Sequence, residues 1–305
     1  MNNNIKFSIC TLVSRLDQYN KLRASLAESG FNNSNSEFLV VDNTESNQMD
    51  AYEGIRFFIR NSKNEFLILI HQDVILEQKS YDSICSIIND ITIRDPHWAI
   101  LSNAGKSWNP SKTHVSFGDG KKKWHSQPLP AMVQSVDEHF ILLKKSTGVT
   151  VSRDLSGFHF YGTELCHLAL RLGYTCYVVD FYLTHFSHGN LDDSFYKAKI
   201  KIEEKYSNLN KVKIIPTMCA VICTNTGFAY RLLADLYSYY ILLHSSLHDN
   251  SKELLKYNHK YTHLCSRIII RLRIVDAIYY LKNKIIRIRA DIGWWRINWK
   301  SRIVL

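Results

Sequence analysis

The sequence predicts an α/β fold built on a doubly wound sheet, and three observations carry that prediction. Short apolar runs alternate with segments of helical period from the N-terminus to about residue 105. Two of the runs, "EFLVVDN" (37–43) and "EFLILIHQDVIL" (65–76), carry polar side chains where an inferred strand runs out. The chain of 305 residues, 46% hydrophobic and 12% aromatic, is long enough for one large domain or two ordinary ones with a full core.

The elements follow in order. "IKFSICTLV" (5–13) is short and apolar, as a buried strand should be. Leu16, Tyr19, Leu22 and Leu26 recur at helical spacing, with Gly30 placed to end that helix. "EFLVVDN" is the second strand and ends in Asp42 and Asn43. "MDAYEGIRFFIRNSK" (49–63) reads as a helix, and "EFLILIHQDVIL" as a third strand. A helix over 81–95 and a strand over 97–105 complete the alternation. Strand and helix in alternation are the pattern of a parallel sheet, in which ligands sit beyond the carboxyl ends of the strands.

Residues 106–130 change character. Gly, Pro, Ser and Lys dominate without a period, which predicts a long loop with a hairpin at "FGDGKK". Beyond it lie a strand-like core within 131–148, interrupted by Asp137, Glu138 and His139, and a turn then a helix over 158–174. A last strand over 175–190 runs out into His185 and His188, and a further helix follows.

Charge divides the chain. Residues 251–305 hold 13 Lys and Arg against 3 Asp and Glu, whereas residues 1–250 hold 25 of each. The formal excess of +10 therefore sits in the last 55 residues. We divide the chain into an α/β domain over 1–215 and a helical, basic, amphipathic region over 216–305. Seven scattered cysteines without a C-x-x-C pair suit reduced thiols in a cytoplasmic protein rather than a disulfide or zinc framework. No signal peptide and no spanning helix is expected.

From Ile268 to Trp299 apolar residues recur at helical spacing, interleaved with Arg267, Arg271, Lys282, Lys284, Arg287, Arg289 and Arg296. Tryptophan and arginine beside an apolar stripe suit the headgroup level of an anionic bilayer, where each cation contributes about 1 kcal/mol. The expected partner of 264–305 is thus an anionic membrane surface, on its cytoplasmic side. Packing of the stripe on the body or on a partner subunit is the alternative. Nucleic acid is not expected, because the body is neutral and has no aromatic and basic recognition motif.

The candidate chemistry lies in Asp42, His71, Asp73, Asp137, Glu138, Glu164, His185 and His188. Each sits at or just past an inferred strand end or in a first helical turn. Carboxylates and imidazoles there can hold a divalent ion against a diphosphate and leave another carboxylate free as a base. Each also has a plain structural reading. Asp42 can cap a helix, and Glu164 can simply face a helix dipole.

The order of "FSICTLV", "FLVVDN", "AYEGI", "LILIHQDV", "VDEHFILLKK", "GFHFYGTELCHLALRLGY" and "THFSHG" resembles the family 2 type glycosyltransferases of GT-A fold. It is most similar to a bacterial branch in which "HQDV" stands in place of Asp-x-Asp. The resemblance covers residues 5–200. It implies a Rossmann-like, doubly wound mixed sheet and an enzyme that moves a sugar from a nucleotide-diphosphate donor to a saccharide or lipid-linked acceptor. It implies Thr11, Asp42, Asn43, His71, Gln72 and Asp73 at the donor, with Asp42 on the nucleoside. It implies a divalent cofactor, Mn²⁺ or Mg²⁺, on Asp73 and His185 or His188. It places Asp137, Glu138 and His159 at the sugar or acceptor, and Glu164 as the base of an inverting displacement. Surface polysaccharide or glycolipid synthesis is the expected setting. The competing expectations are a non-catalytic protein that binds sugar nucleotides and a membrane-surface scaffold.

Overall fold

Strands β1 (Phe7–Val13) and β3 (Phe66–Ile70) are apolar runs buried on both faces, the composition of central strands in a covered sheet. They come from a computed structural model of the chain, which describes residues 5–107, 128–187, 191–207 and 214–224. It adds backbone at 112–113, 115–117 and 122–123, and the single residues Ala234 and Ser238. The described residues belong to one compact unit, Met1–Glu253, and the unit Leu254–Leu305 lies outside them. The basic region 264–305 is therefore an expectation about residues not described here.

The remaining elements are α1 (Leu16–Glu28), β2 (Ser36–Asp42), α2 (Ala51–Asn61), β4 (Val74–Leu76), α3 (Ser80–Arg94), β5 (Trp98–Ser102) and β6 (Ala104–Lys106). Then follow β7 (Lys112–Thr113), β8 (Val115–Phe117), β9 (Lys122–Lys123), β10 (Ala131–Met132), β11 (Ser135–Val136) and β12 (Phe140–Lys144). The last are α4 (Tyr161–Arg171), β13 (Thr175–Val178), β14 (Leu183–His185), α5 (Asp193–Lys205), β15 (Ile214–Pro216) and β16 (Val221–Cys223).

Seven strands form the main sheet in the order β10-β13-β5-β12-β3-β1-β2. β1 is parallel to β2 and β3, and β13 to β5, while β12 runs antiparallel between β3 and β5. The expected doubly wound mixed sheet is borne out. Reversal at β12 brings the segment that enters it, Asp137–His139, to the carboxyl end of β3. His71 N–H donates to the His139 carbonyl at 3.0 Å and extends that pairing past the strand.

Helices cover both faces. Phe7 and Ile9 of β1 pack with Leu22 and Leu26 of α1 and with Ile84 and Ile88 of α3. The alternate residues Cys10 and Leu12 face the other way, toward α2. Gly54 of α2 lies against Leu12, where an added Cβ would come within 2.7 Å of a Leu12 methyl. That close approach is why glycine stands there. Asp50 caps α2 in a capping box with Glu53, and its second oxygen accepts from Gly157 N–H at 2.6 Å. The loop that leads into α4 is thereby tied to the start of α2.

The last strand departs from expectation. Within the expected strand 175–190, residues 175–185 form two strands in different sheets, broken at Val179–Tyr182, and residues 188–190 lie outside the described ones. β13 stays in the main sheet, whereas β14 joins a second sheet of order β4-β14-β8-β9. A continuous apolar run cannot signal that change of sheet. The hairpin expected at "FGDGKK" is present, with Val115 opposite Lys123 and Ser116 opposite Lys122. β8 in turn runs beside β14, with Phe117 in register with His185. The domain boundary expected at 215/216 falls within the β15–β16 hairpin, which packs on α5 through a bond from Cys223 N–H to Glu203 Oε1.

Candidate active site

β3 ends where its apolar run meets His71, Gln72 and Asp73, and β4 resumes one residue later. A cavity of about 270 Å³ opens at this break. Its floor is apolar, made by Cys10, Leu12, Ile55 and Phe58 between sheet and α2. Its polar wall holds His71, Gln72, Asp73, Glu138, Tyr161 and Ser187. An apolar hollow with a few convergent polar groups at the carboxyl ends of strands is the common form of a ligand site in such folds.

β14 pairs antiparallel with β4, which brings His185 opposite Val74 and next to Asp73. His185 Nε2 lies 3.3 Å from Asp73 Oδ1 and 3.2 Å from Ser187 Oγ. Phe186 N–H donates to the Asp73 carbonyl at 3.1 Å and fixes the register. The His185 ring stacks on His139 at 4.8 Å and meets His71 edge-on at 5.5 Å. Burial works against the Asp73 charge, but the His185 hydrogen bond and the nearby imidazoles outweigh it and hold its carboxyl well below the usual range. Burial, reinforced by His185, pushes the His71 imidazole down to about 4. Near neutral pH the trio therefore offers an ionised carboxylate and a neutral His71.

His71, Asp73 and His185 each present one ligand atom, all within 4.8 Å of one another. Two imidazoles and a carboxylate suit a divalent transition ion. One ring nitrogen of His71 already has a partner. Nε2 pairs with Tyr161 Oη at 2.8 Å, and the Tyr161 hydroxyl also reaches the Glu138 carbonyl at 3.1 Å. Such an outer partner orients a ligand imidazole. Tyr161 and Ser187 were not singled out in the sequence, although both stand inside the motifs "FHFYGTE" and "THFSHG".

Asp137 and Glu138 occupy different environments although adjacent. Asp137 Oδ1 takes His139 Nδ1 at 2.9 Å and Glu138 N–H at 2.7 Å, and it is held low by His139 against the cost of burial. It acts through His139, which backs His185. Glu138 lines the cavity itself. Its Oε1 accepts from Gly162 N–H at 3.2 Å in the first turn of α4. Burial, with Asp137 beside it, pushes the Glu138 carboxyl up to about 8.

Gln72 serves the chain rather than an open face. Its Oε1 accepts from Ser14 N–H at 2.9 Å and Arg15 N–H at 2.8 Å, and its Nε2 donates to Ser14 Oγ. It clamps the β1–α1 connection over the site. Asn43 likewise organises its own loop, bonding Gln48, Met49 and the Met49 carbonyl. Asp42 stands exposed at the end of β2, where its carboxylate accepts from Thr44 N–H and Oγ and is lowered by those bonds.

Of the expected site residues that are described, Thr11, Asp42, Asn43, Asp137, His159, Glu164 and His185 are not among those lining the cavity. Thr11 is buried on the β1 face that carries Phe7 and Ile9, opposite to Cys10 and Leu12. His159 pairs with Ser194 Oγ at 3.1 Å and packs on Phe195, on the α5 side. Glu164 is 0% exposed, and both its oxygens are taken, one by Tyr206 Oη at 2.8 Å and one by Ser152 N–H at 3.2 Å. Its place in the first turn of α4 turns it inward, away from the cavity, as a carboxylate that holds the 152 loop and α5 together. His188 lies outside the described residues.

No family model matches the chain. The "ATP synthase subunits region ORF 6" protein of Fuscovulum blasticum is 32% identical over 211 residues, which cover 66% of this chain and 84% of that protein. Its name states no reaction. Among solved structures, S. aureus TarS 1-349 in complex with UDP-GlcNAc aligns with a TM-score of 0.46 at 12% identity, over 68% of each chain. The mannosyltransferase PcManGT from Pyrobaculum calidifontis, in complex with GDP-Man and Mn²⁺, aligns with a TM-score of 0.47 at 9% identity. That alignment covers 88% of this chain and 80% of the other.

Proposed function

The chain belongs to the family of the Fuscovulum blasticum ORF 6 protein, and we propose that it is a glycosyltransferase. The donor is a nucleotide-diphosphate sugar and the acceptor a saccharide or a lipid-linked hydroxyl compound. The observation that carries this reading is the His71–Asp73–His185 group, whose His71 and Asp73 stand on the polar wall of a cavity at the end of β3. The ordered motifs of family 2 type glycosyltransferases, with "HQDV" for Asp-x-Asp, support it.

His71, Asp73 and His185 would hold the divalent ion, which when bound supplies positive charge against the donor diphosphate. The chain's own residues do the rest. Asp73 stays ionised and His71 neutral, so both keep lone pairs for a cation near neutral pH. Tyr161 orients the His71 ring, and the Asp137–His139 pair backs His185. Gln72 fixes the Ser14–Arg15 turn above the donor. Asp42, exposed at the end of β2, would contact the nucleoside. β8 and β9, from the long 106–130 segment, form a wall beside His185 and with it the acceptor side. Transfer is a single displacement that inverts the anomeric centre.

Residues 264–305 are proposed to hold the enzyme on the anionic cytoplasmic face of a membrane, beside a lipid-linked acceptor for surface polysaccharide or glycolipid synthesis. Among the described residues no helix is long and apolar enough to cross a membrane. The donor is tested by thermal-shift measurements with UDP-, GDP-, CMP- and dTDP-sugars, with and without Mn²⁺. Sedimentation with phosphatidylglycerol vesicles tests the tail. Binding that falls as salt rises is expected, and equal binding to neutral vesicles would contradict it.

A further inference from the structure

We propose that Glu138 is the catalytic base, an inference that rests on the glycosyl-transfer reading of the cavity. Two carboxylates stand among the residues that line it, Asp73 and Glu138. Asp73 belongs with His71 and His185 in the group suited to a cation. Glu138 belongs to no such group. It enters from the segment before β12, while Asp73 follows β3, so the two carboxylates reach the same space from different strands. That is the arrangement needed to hold a donor with one and an acceptor hydroxyl with the other.

The other acids are engaged or elsewhere. Asp137 is spent on His139, Glu164 is sealed by Tyr206 and Ser152, and Asp42 stands exposed at the end of β2. Glu138 is positioned firmly. Its Oε1 takes Gly162 N–H, and the carbonyl of the same residue takes Tyr161 Oη. An added Cβ on Gly162 would come within 3.2 Å of Glu138 Cγ, so the first turn of α4 and the carboxylate fit closely. The charged and titratable groups that face it are Asp137, Tyr161 and Tyr52. Burial and Asp137 raise the Glu138 carboxyl to about 8, so the base is the fraction that has lost its proton, and turnover should rise with pH toward that value.

The step balances as follows. Glu138 takes the proton of the acceptor hydroxyl while that oxygen bonds to the anomeric carbon of the donor. The bond from that carbon to the diphosphate oxygen breaks, and its electron pair leaves on the nucleoside diphosphate. Glu138 ends as the carboxylic acid and returns its proton to solvent.

The test uses the full chain, the donor panel above and Mn²⁺, with nucleoside diphosphate release to water as the basal readout. Glu138→Gln is expected to keep the metal-dependent thermal shift with the donor and to lose at least about 100-fold in kcat. Glu138→Asp, which keeps the carboxylate on a shorter stem, is expected to retain more turnover than Glu138→Gln. It also separates loss of the base from loss of folding. Turnover of Glu138→Gln close to wild type overturns the assignment. So does loss of donor binding together with turnover, which would make Glu138 a donor contact. Wild-type protein that binds no sugar nucleotide overturns the glycosyl-transfer reading itself, a result distinct from either.

Discussion

Tyr161 Oη lies 2.8 Å from His71 Nε2 and 3.1 Å from the Glu138 carbonyl, so one hydroxyl ties the proposed metal ligand to the proposed base. Tyr161→Phe removes it without opening a cavity. The expected result is a fall of about 10- to 100-fold in Mn²⁺ affinity, the usual cost of losing an outer partner of a ligand histidine. Titration calorimetry with MnCl₂ reads it directly. Unchanged affinity would mean that Tyr161 does not orient the imidazole.

Glu164→Gln separates a structural carboxylate from a catalytic one. The amide keeps the size but cannot accept from both Tyr206 Oη and Ser152 N–H. Stability should fall by about 1–3 kcal/mol, since a buried donor is left unpaired. Turnover per folded molecule should stay within a few-fold of wild type. Urea unfolding beside donor-turnover rates checks both, and a large loss of kcat in a stable variant would restore Glu164 as the base.

Gly162→Ala probes the fit of α4 against the site. Its Cβ would stand 2.8 Å from the Val136 carbonyl and 3.2 Å from Glu138 Cγ. The carbonyl belongs to backbone and cannot swing away. A loss of about 1–3 kcal/mol is expected, as for overpacking elsewhere. A fall in kcat larger than any fall in donor affinity should accompany it.

Much of this was legible in the sequence and some was not. Apolar runs bounded by helical segments place β1, β2, β3 and β5; in β1, β3 and β5 burial on both faces forces continuous hydrophobicity, whereas β2 is a half-buried edge strand. The three polar residues after β3 mark a break between β3 and β4 beside a cavity, where no helix follows to need a cap. The split of 175–185 into β13 and β14 was hidden, because both halves are largely buried and look alike in composition. Thr11 lies off the cavity wall through the alternation of its own strand. Glu164 is the instructive case. Its motif places it at the start of α4, but which way a first-turn side chain points depends on how the helix docks, and here it docks against Ser152 and Tyr206.

Glu138 also sets a pH dependence of stability. Its carboxyl is raised from 4.5 to about 8, so the folded state keeps a proton that the unfolded state has lost between those values. The contribution is fully present below about 4.5 and is lost as pH rises through about 8. Urea midpoints of wild type at pH 5, 6.5 and 8 should therefore decline more steeply than those of Glu138→Gln, which cannot titrate there. Parallel declines would show that Glu138 is an ordinary carboxylate.

The central claim is that the break after β3 holds a cation for a sugar nucleotide. Thermal unfolding of wild type and Asp73→Ala with the donor panel, with and without Mn²⁺, tests it most directly. The account predicts a rise in Tm for wild type with one class of nucleotide, dependent on Mn²⁺ and absent in Asp73→Ala. A donor-induced shift that Asp73→Ala retains in full, or that is indifferent to metal, would contradict it.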